Sequence, residues 1–172
     1  MFRLLFYPGV IIHEISHIIG CIILNVRISK ISFGLQESYV KHEQAGPVRM
    51  SLIALAPFYL GAAVGVLLFM LANKTYYSEL LWFILLNYLG ICILYNSIPS
   101  AQDTKNINNS IKLEIKKEWK KTFGNKLFGI IKTIIFYLPI FLVALFVSVF
   151  DKFDILRAFY VLFIFMLVYG LI

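Results

Sequence analysis

Apolar residues gather into five long stretches, and polar residues punctuate them. A hydrocarbon core about 30 Å thick needs roughly 20 apolar residues per helix, and residues 4–24, 51–71, 80–98, 127–150 and 155–172 approach or meet that length. The breaks carry turn chemistry: Pro8-Gly9 near the start of the first stretch, Asn25 after it, Gly46-Pro47 before the second and Pro99 after the third. A short polar turn, Asp151-Lys152-Phe153-Asp154, separates the last two. The pattern predicts an all-α integral membrane protein of about five transmembrane helices.

Two segments depart from it. Val26 to Phe33 alternates imperfectly and is rich in β-branched residues, which predicts a strand, paired as a short β-hairpin with residues 37–40 after the first helix. Ile111, Leu113, Ile115 and Trp119 are spaced among lysines. That spacing suits either an amphipathic helix on an anionic membrane surface or a solvated basic linker. The expected division is a three-helix core over residues 1–105, a basic cytoplasmic linker over 106–126 and two further helices over 127–172.

Composition strengthens the membrane reading. Of 172 residues 60% are hydrophobic and 16% aromatic, and the mean hydropathy of +0.84 excludes an ordinary soluble domain. The formal charge of +7 does not point to nucleic acid, because the basic residues sit between apolar runs. They set orientation instead. Residues 104–126 carry seven lysines, and the loop after the first span adds Arg27, Lys30, Lys41 and Arg49, against Arg3, Lys74, Lys152 and Arg157 on the other side. This places the N-terminus outside and the C-terminus in the cytoplasm. Cys21 and Cys92 each lie within an apolar run and read as packing residues. The N-terminal stretch resembles a signal peptide in outline but has no small-x-small cleavage site, so it is read as a retained span.

Chemistry enters inside that first span. In His13-Glu14-Ile15-Ser16-His17 the histidines stand four apart, so in a helix both imidazoles share a face and can reach one metal ion. Glu14, beside the first ligand, is placed to take a proton from metal-activated water. Ionisable groups at this depth are expensive in a membrane and mark functional sites. Gly9, His13, Ser16, His17 and Gly20 form a small, polar face, with Ile11, Ile15, Ile18, Ile19 and Ile22 on the remainder. A catalytic site of this kind needs a third protein ligand. Asp103, Glu37, His42, Glu43 and Glu79 are the candidates, and Asp103 is preferred because Pro99 breaks the third span and can fold the chain back toward the bundle.

The chain at this point resembles the site-2 protease family of intramembrane zinc metalloproteases. That family pairs a membrane-embedded His-Glu-x-x-His with a distant Asn-x-x-Pro...Leu-Asp-Gly segment, and Asn96, Pro99 and Asp103 match the second part. Gln102 stands where the family has Leu, and Thr104 where it has Gly. The resemblance implies one Zn2+ held by His13, His17 and Asp103, Glu14 as catalytic base, and supporting roles for Asn96 and Pro99. It further implies transmembrane or membrane-anchored protein substrates, an active site toward the cytoplasmic side, and a minimal member whose catalytic core is residues 1–105. Two other classes fit parts of the pattern: an inactive zinc-binding scaffold, which would not need Glu14, and a metal-ion transporter, which would need polar residues along more of the spans.

Overall fold

The computed structural model describes residues 2–35, 37–77, 79–119 and 153–171, with scattered positions between 129 and 149. The protein is mostly helical with one two-stranded antiparallel sheet: α1 (Phe2–Leu5), α2 (Tyr7–Ile23), β1 (Ile28–Phe33), β2 (Ser38–His42), α3 (Pro47–Ala56), a π-helical turn (Pro57–Gly61), α4 (Ala62–Thr75), α5 (Leu80–Ser97), α6 (Ala101–Glu118) and α7 (Asp154–Val168).

Among the described residues two continuous helical stretches, Pro47–Thr75 with 29 residues and Leu80–Lys117 with 38, are long and apolar enough to cross a membrane. That is fewer than the five read from the sequence. The chain bends at Phe6, leaving α2 with 17 residues, or about 25 Å at 1.5 Å per residue, just short of a full crossing. Helix α7 has 15 residues, and most of the stretch 127–150 lies outside the described residues. The exterior is nonetheless strongly apolar, with Leu81 77% exposed and Ile23 74% exposed.

Helix α2 is the centre of the arrangement. It packs on α3, on the π-helical turn and, most closely, on α5. A Cβ at Gly9 would lie 1.9 Å from the Cys92 carbonyl oxygen, so only glycine lets α2 and α5 approach this far. At its other end α2 is stopped by Asn25, whose left-handed backbone (φ 52) turns the chain into β1. The hairpin has register Ile31↔Val40, Ser32↔Tyr39 and Phe33↔Ser38, with an irregularity between Ile28 and Lys30. It folds back onto α2.

Helix α6 differs from the expected linker. It begins at Ala101, so the boundary at residue 105 falls inside a helix. Its apolar side, Ile107, Ile111 and Ile115, packs against Ala54 of α3. Leu113 and Trp119, expected on the same apolar face, are instead 54% and 57% exposed. Residues spaced three and four apart line one helix face, and 107, 111 and 115 keep that spacing whereas 113 does not. Helix α7 closes the other side, with Val161 and Phe165 against Phe69 of α4 and Leu94 of α5.

Candidate metal centre

His13 and His17 sit one above the other on α2, and Asp103 meets them from the first turn of α6. Their ligand atoms lie within 4.8 Å of one another. His13 Nε2 stands 3.2 Å from His17 Nε2 and 3.4 Å from Asp103 Oδ2, while His17 Nε2 is 3.2 Å from Asp103 Oδ1.

The other ring nitrogens decide what these contacts mean. His13 Nδ1 donates to the Asn96 carbonyl at 2.6 Å, and His17 Nδ1 donates to the Ile53 carbonyl at 2.9 Å. A carbonyl only accepts, so each Nδ1 carries a proton, and each imidazole turns its Nε2 toward the carboxylate. Both Nε2 atoms and the carboxylate therefore converge on one point, an arrangement that suits a shared cation or, when a ring is protonated, an imidazolium–carboxylate pair. Donors around a tetrahedral ion at about 2.0–2.2 Å stand about 3.3–3.5 Å apart, close to the separations seen, so the residues present fit a bound metal ion.

Each ligand is held by a group that the local sequence frees for the purpose. The Ile53 carbonyl would ordinarily accept from the N–H of residue 57, but Pro57 has none. The bond passes to His17. The Asn96 carbonyl would accept from Ser100, but Pro99 favours an extended residue before it, and Ile98 is extended (φ −70, ψ 126), which ends α5. The Ser100 N–H then reaches Asp103 Oδ2 at 2.8 Å, and its hydroxyl donates to the same oxygen at 2.8 Å. These bonds form a capping box at the start of α6. Asp103 is thus both the third residue of its helix and the carboxylate facing the histidines.

Asn96 contributes through its backbone; its side chain donates to the Phe6 and Cys92 carbonyls at 3.2 and 2.9 Å. Of the remaining candidates, His42 lines the small cavity beside the ligands, and the acidic ones stand apart from the group. Glu43 faces Arg27 at 4.0 Å, Glu79 precedes α5 at its far end, and Glu37 is exposed in the hairpin turn. His42 directs Nδ1 at the Glu43 carbonyl at 3.0 Å.

Glu14 is buried beside the ligands. With His13 it lines a cavity of about 740 Å³, whose far wall is Tyr95, Asp154, Ile155 and Arg157. Asp154 Oδ1 accepts from the Tyr95 hydroxyl at 2.9 Å, and the Arg157 guanidinium lies over the Tyr95 ring at 5.7 Å. On the other side a small cavity of about 90 Å³ reaches all three ligands and Glu14. It leads into a polar cleft of about 640 Å³ between β2 and the start of α6.

The hairpin is aimed at the site by its register. Gly34 N–H donates to the Glu37 carbonyl at 3.2 Å. Hydrogen-bonded pairs alternate along an antiparallel ladder, so Ile31↔Val40 is a pair without mutual bonds. The Val40 amide therefore points away from β1, and it approaches the Glu14 carboxylate. Sequence reasoning placed Gly9 on the polar face of the first span but did not read Ser100 and Pro57 as parts of the site. Only Ser100 carried a readable signal, the Ser-x-x-Asp capping pattern.

Searches against protein-family models, curated proteins and solved structures returned no match to this chain.

Proposed function

We propose that this chain is an intramembrane zinc metalloprotease of the site-2 protease type, acting on transmembrane or membrane-anchored proteins. The observation that carries the reading is the convergence of three possible metal ligands, His13, His17 and Asp103, beside a cavity walled by Glu14. When bound, zinc supplies Lewis acidity toward a scissile carbonyl and lowers the pKa of water at an open position to about 7.

The protein's own groups do the rest. Glu14 accepts the proton as water attacks the carbonyl carbon, and returns it to the departing amine nitrogen as the C–N bond breaks. The Val40 amide holds that carboxylate toward the cavity. The Asn96 and Ile53 carbonyls keep both imidazoles in the tautomer that leaves Nε2 bare. A membrane-spanning substrate hides its amides in a helix and must unwind to be cut. Its extended segment is held by edge pairing, and β2, the strand beside Glu14, supplies that edge through its outward-facing groups other than the Val40 N–H, which Glu14 engages.

The surroundings fit a substrate at a membrane border. The larger cavity, with Phe6, Val10, Ile98 and Ile155 in its wall, takes the apolar part, and the cleft beside β2 takes the polar part. In this reading about five spans cross the bilayer with the N-terminus outside, and the lysine-rich face of α6 lies in the cytoplasm near the site. A transporter is disfavoured by the apolar cluster of Phe69, Leu94 and Val161 that joins α4, α5 and α7 among the described residues.

The test compares wild type with Glu14→Gln in detergent. Equal zinc content with cleavage of membrane-anchored substrates lowered about 10²-fold or more supports the reading. Equal cleavage by both proteins refutes Glu14 as the base.

A further inference from the structure

Edge pairing on β2 satisfies only one side of an extended substrate. Every second residue of a strand points its N–H and C=O the other way, and burying those groups unpaired is unfavourable. Whatever faces β2 across the cleft must therefore answer a backbone edge. The cleft walls are Glu37 to His42 and Gln44 on one side, with Met50, Gln102 and Asn106 completing the lining.

Gln102 and Asn106 stand four residues apart on α6, so their side chains are neighbours on one face. Gln102 Nε2 donates to Asn106 Oδ1 at 3.1 Å. That bond fixes the pair relative to each other and uses one donor and one acceptor. A carboxamide carries both functions, so Gln102 Oε1 remains as an acceptor and Asn106 Nδ2 as a donor. This matches the N–H and C=O that an outward-facing strand residue presents. Exchanging oxygen and nitrogen in both amides preserves the match, so the argument does not depend on their assignment. Gln102 also adjoins Asp103, which places the pair at the entrance to the metal centre.

We propose that Gln102 and Asn106 are substrate-positioning residues that bind the outer backbone edge of the extended segment held on β2, making the cleft a two-sided clamp for an unwound polypeptide. The inference rests on the protease reading. Its consequence is that the enzyme recognises backbone conformation on the polar side of the scissile bond, and tolerates varied side chains there. A substrate that cannot become extended on that side is excluded.

The probe is a fluorogenic peptide with a leucine-rich apolar half and a polar tail, presented in detergent micelles. A matching series replaces each tail amide in turn by an ester, which removes one N–H. Wild type, Gln102→Met, Asn106→Leu and the amide-retaining Gln102→Asn are compared, with zinc content measured for each. The expected result is a KM about five- to tenfold higher for Gln102→Met and Asn106→Leu, with kcat and zinc content near wild type and partial recovery in Gln102→Asn. One ester position should raise KM in wild type by a similar factor and have no further effect in Gln102→Met. KM within twofold of wild type in both variants, or a loss confined to kcat, overturns the clamp while the protease reading stands. A zinc-loaded wild type that cleaves no member of the series overturns both. Should Gln102→Met fail to fold, Asn106→Leu, one turn farther from the ligands, gives the same readout.

Discussion

Replacing Ser100 by alanine removes one hydroxyl and tests whether the metal centre is built from the capping box. In the structure that hydroxyl donates to Asp103 Oδ2 at 2.8 Å and accepts from the Asp103 N–H at 3.3 Å. A hydrogen bond to an ionised carboxylate contributes about 1.5–3 kcal/mol, and 1.4 kcal/mol is a factor of ten in an equilibrium constant. Zinc affinity should therefore fall about 10- to 100-fold, the range seen when groups that orient metal ligands are removed. The lost cap adds about 1 kcal/mol of helix destabilisation, which should appear as a lower unfolding temperature of the metal-free protein in detergent. Ser100→Thr keeps the hydroxyl and should keep the affinity. Chelator competition on detergent-purified protein measures the effect. Zinc affinity of Ser100→Ala within twofold of wild type would refute the idea that the cap holds the ligand.

Other perturbations read other parts of the arrangement. Gly9→Ala places a methyl group against the Cys92 carbonyl, and overpacking of this kind destabilises by about 1–3 kcal/mol; thermal unfolding in detergent should shift down and zinc content drop as His13 moves from the Asn96 carbonyl, and an unchanged unfolding temperature would contradict the packing. Val40→Pro removes the amide beside Glu14 but spares the ladder, because that N–H is not used by β1; kcat should fall by about tenfold or more with zinc retained, and unaltered turnover would remove Val40 from the site. Pro57→Ala returns an N–H that competes with His17 for the Ile53 carbonyl; chelator competition should show zinc affinity lower by up to about tenfold, and a gain in affinity would reverse the argument.

How much of this was legible in the chain depends on the range of the interaction. His13, Glu14 and His17 are a local pattern on one helix, and local periodicity places them on one face without tertiary information. The hairpin was readable for the same reason: β-branched alternation around Gly34 is short-range chemistry, and strands formed at Ile28–Phe33 and Ser38–His42 close to the expected segments. The number of spans was read less well. Hydropathy sums over windows and does not register that Phe6 interrupts the first stretch, and most of the fourth stretch lies outside the described residues. The lysine-rich segment showed a helical spacing, but its apolar residues were read as meeting a membrane surface or belonging to a solvated linker, whereas Ile107, Ile111 and Ile115 form a stripe packed on α3. Asp103 depended on a contact across 86 and 90 residues with His17 and His13, and only the proline before it hinted at the return of the chain. What no pattern could supply was the identity of the carbonyls that hold the rings.

Those carbonyls connect fold and chemistry. A helix spends its own C=O groups internally, so a membrane bundle has few acceptors to offer at depth. Here both are released by prolines: Pro57 lacks the N–H that Ile53 would engage, and Pro99 ends α5 so that the Asn96 carbonyl is left at the last turn. Each release is answered by a histidine proton, so neither backbone group is left unpaired and neither imidazole is free to change tautomer. The same break at Pro99 sends the Ser100 N–H to Asp103 in place of Asn96. Two residues usually read as helix breakers thus do constructive work. By interrupting α3 and α5 at the level of α2, they convert structural hydrogen bonds into the supports of a three-ligand centre.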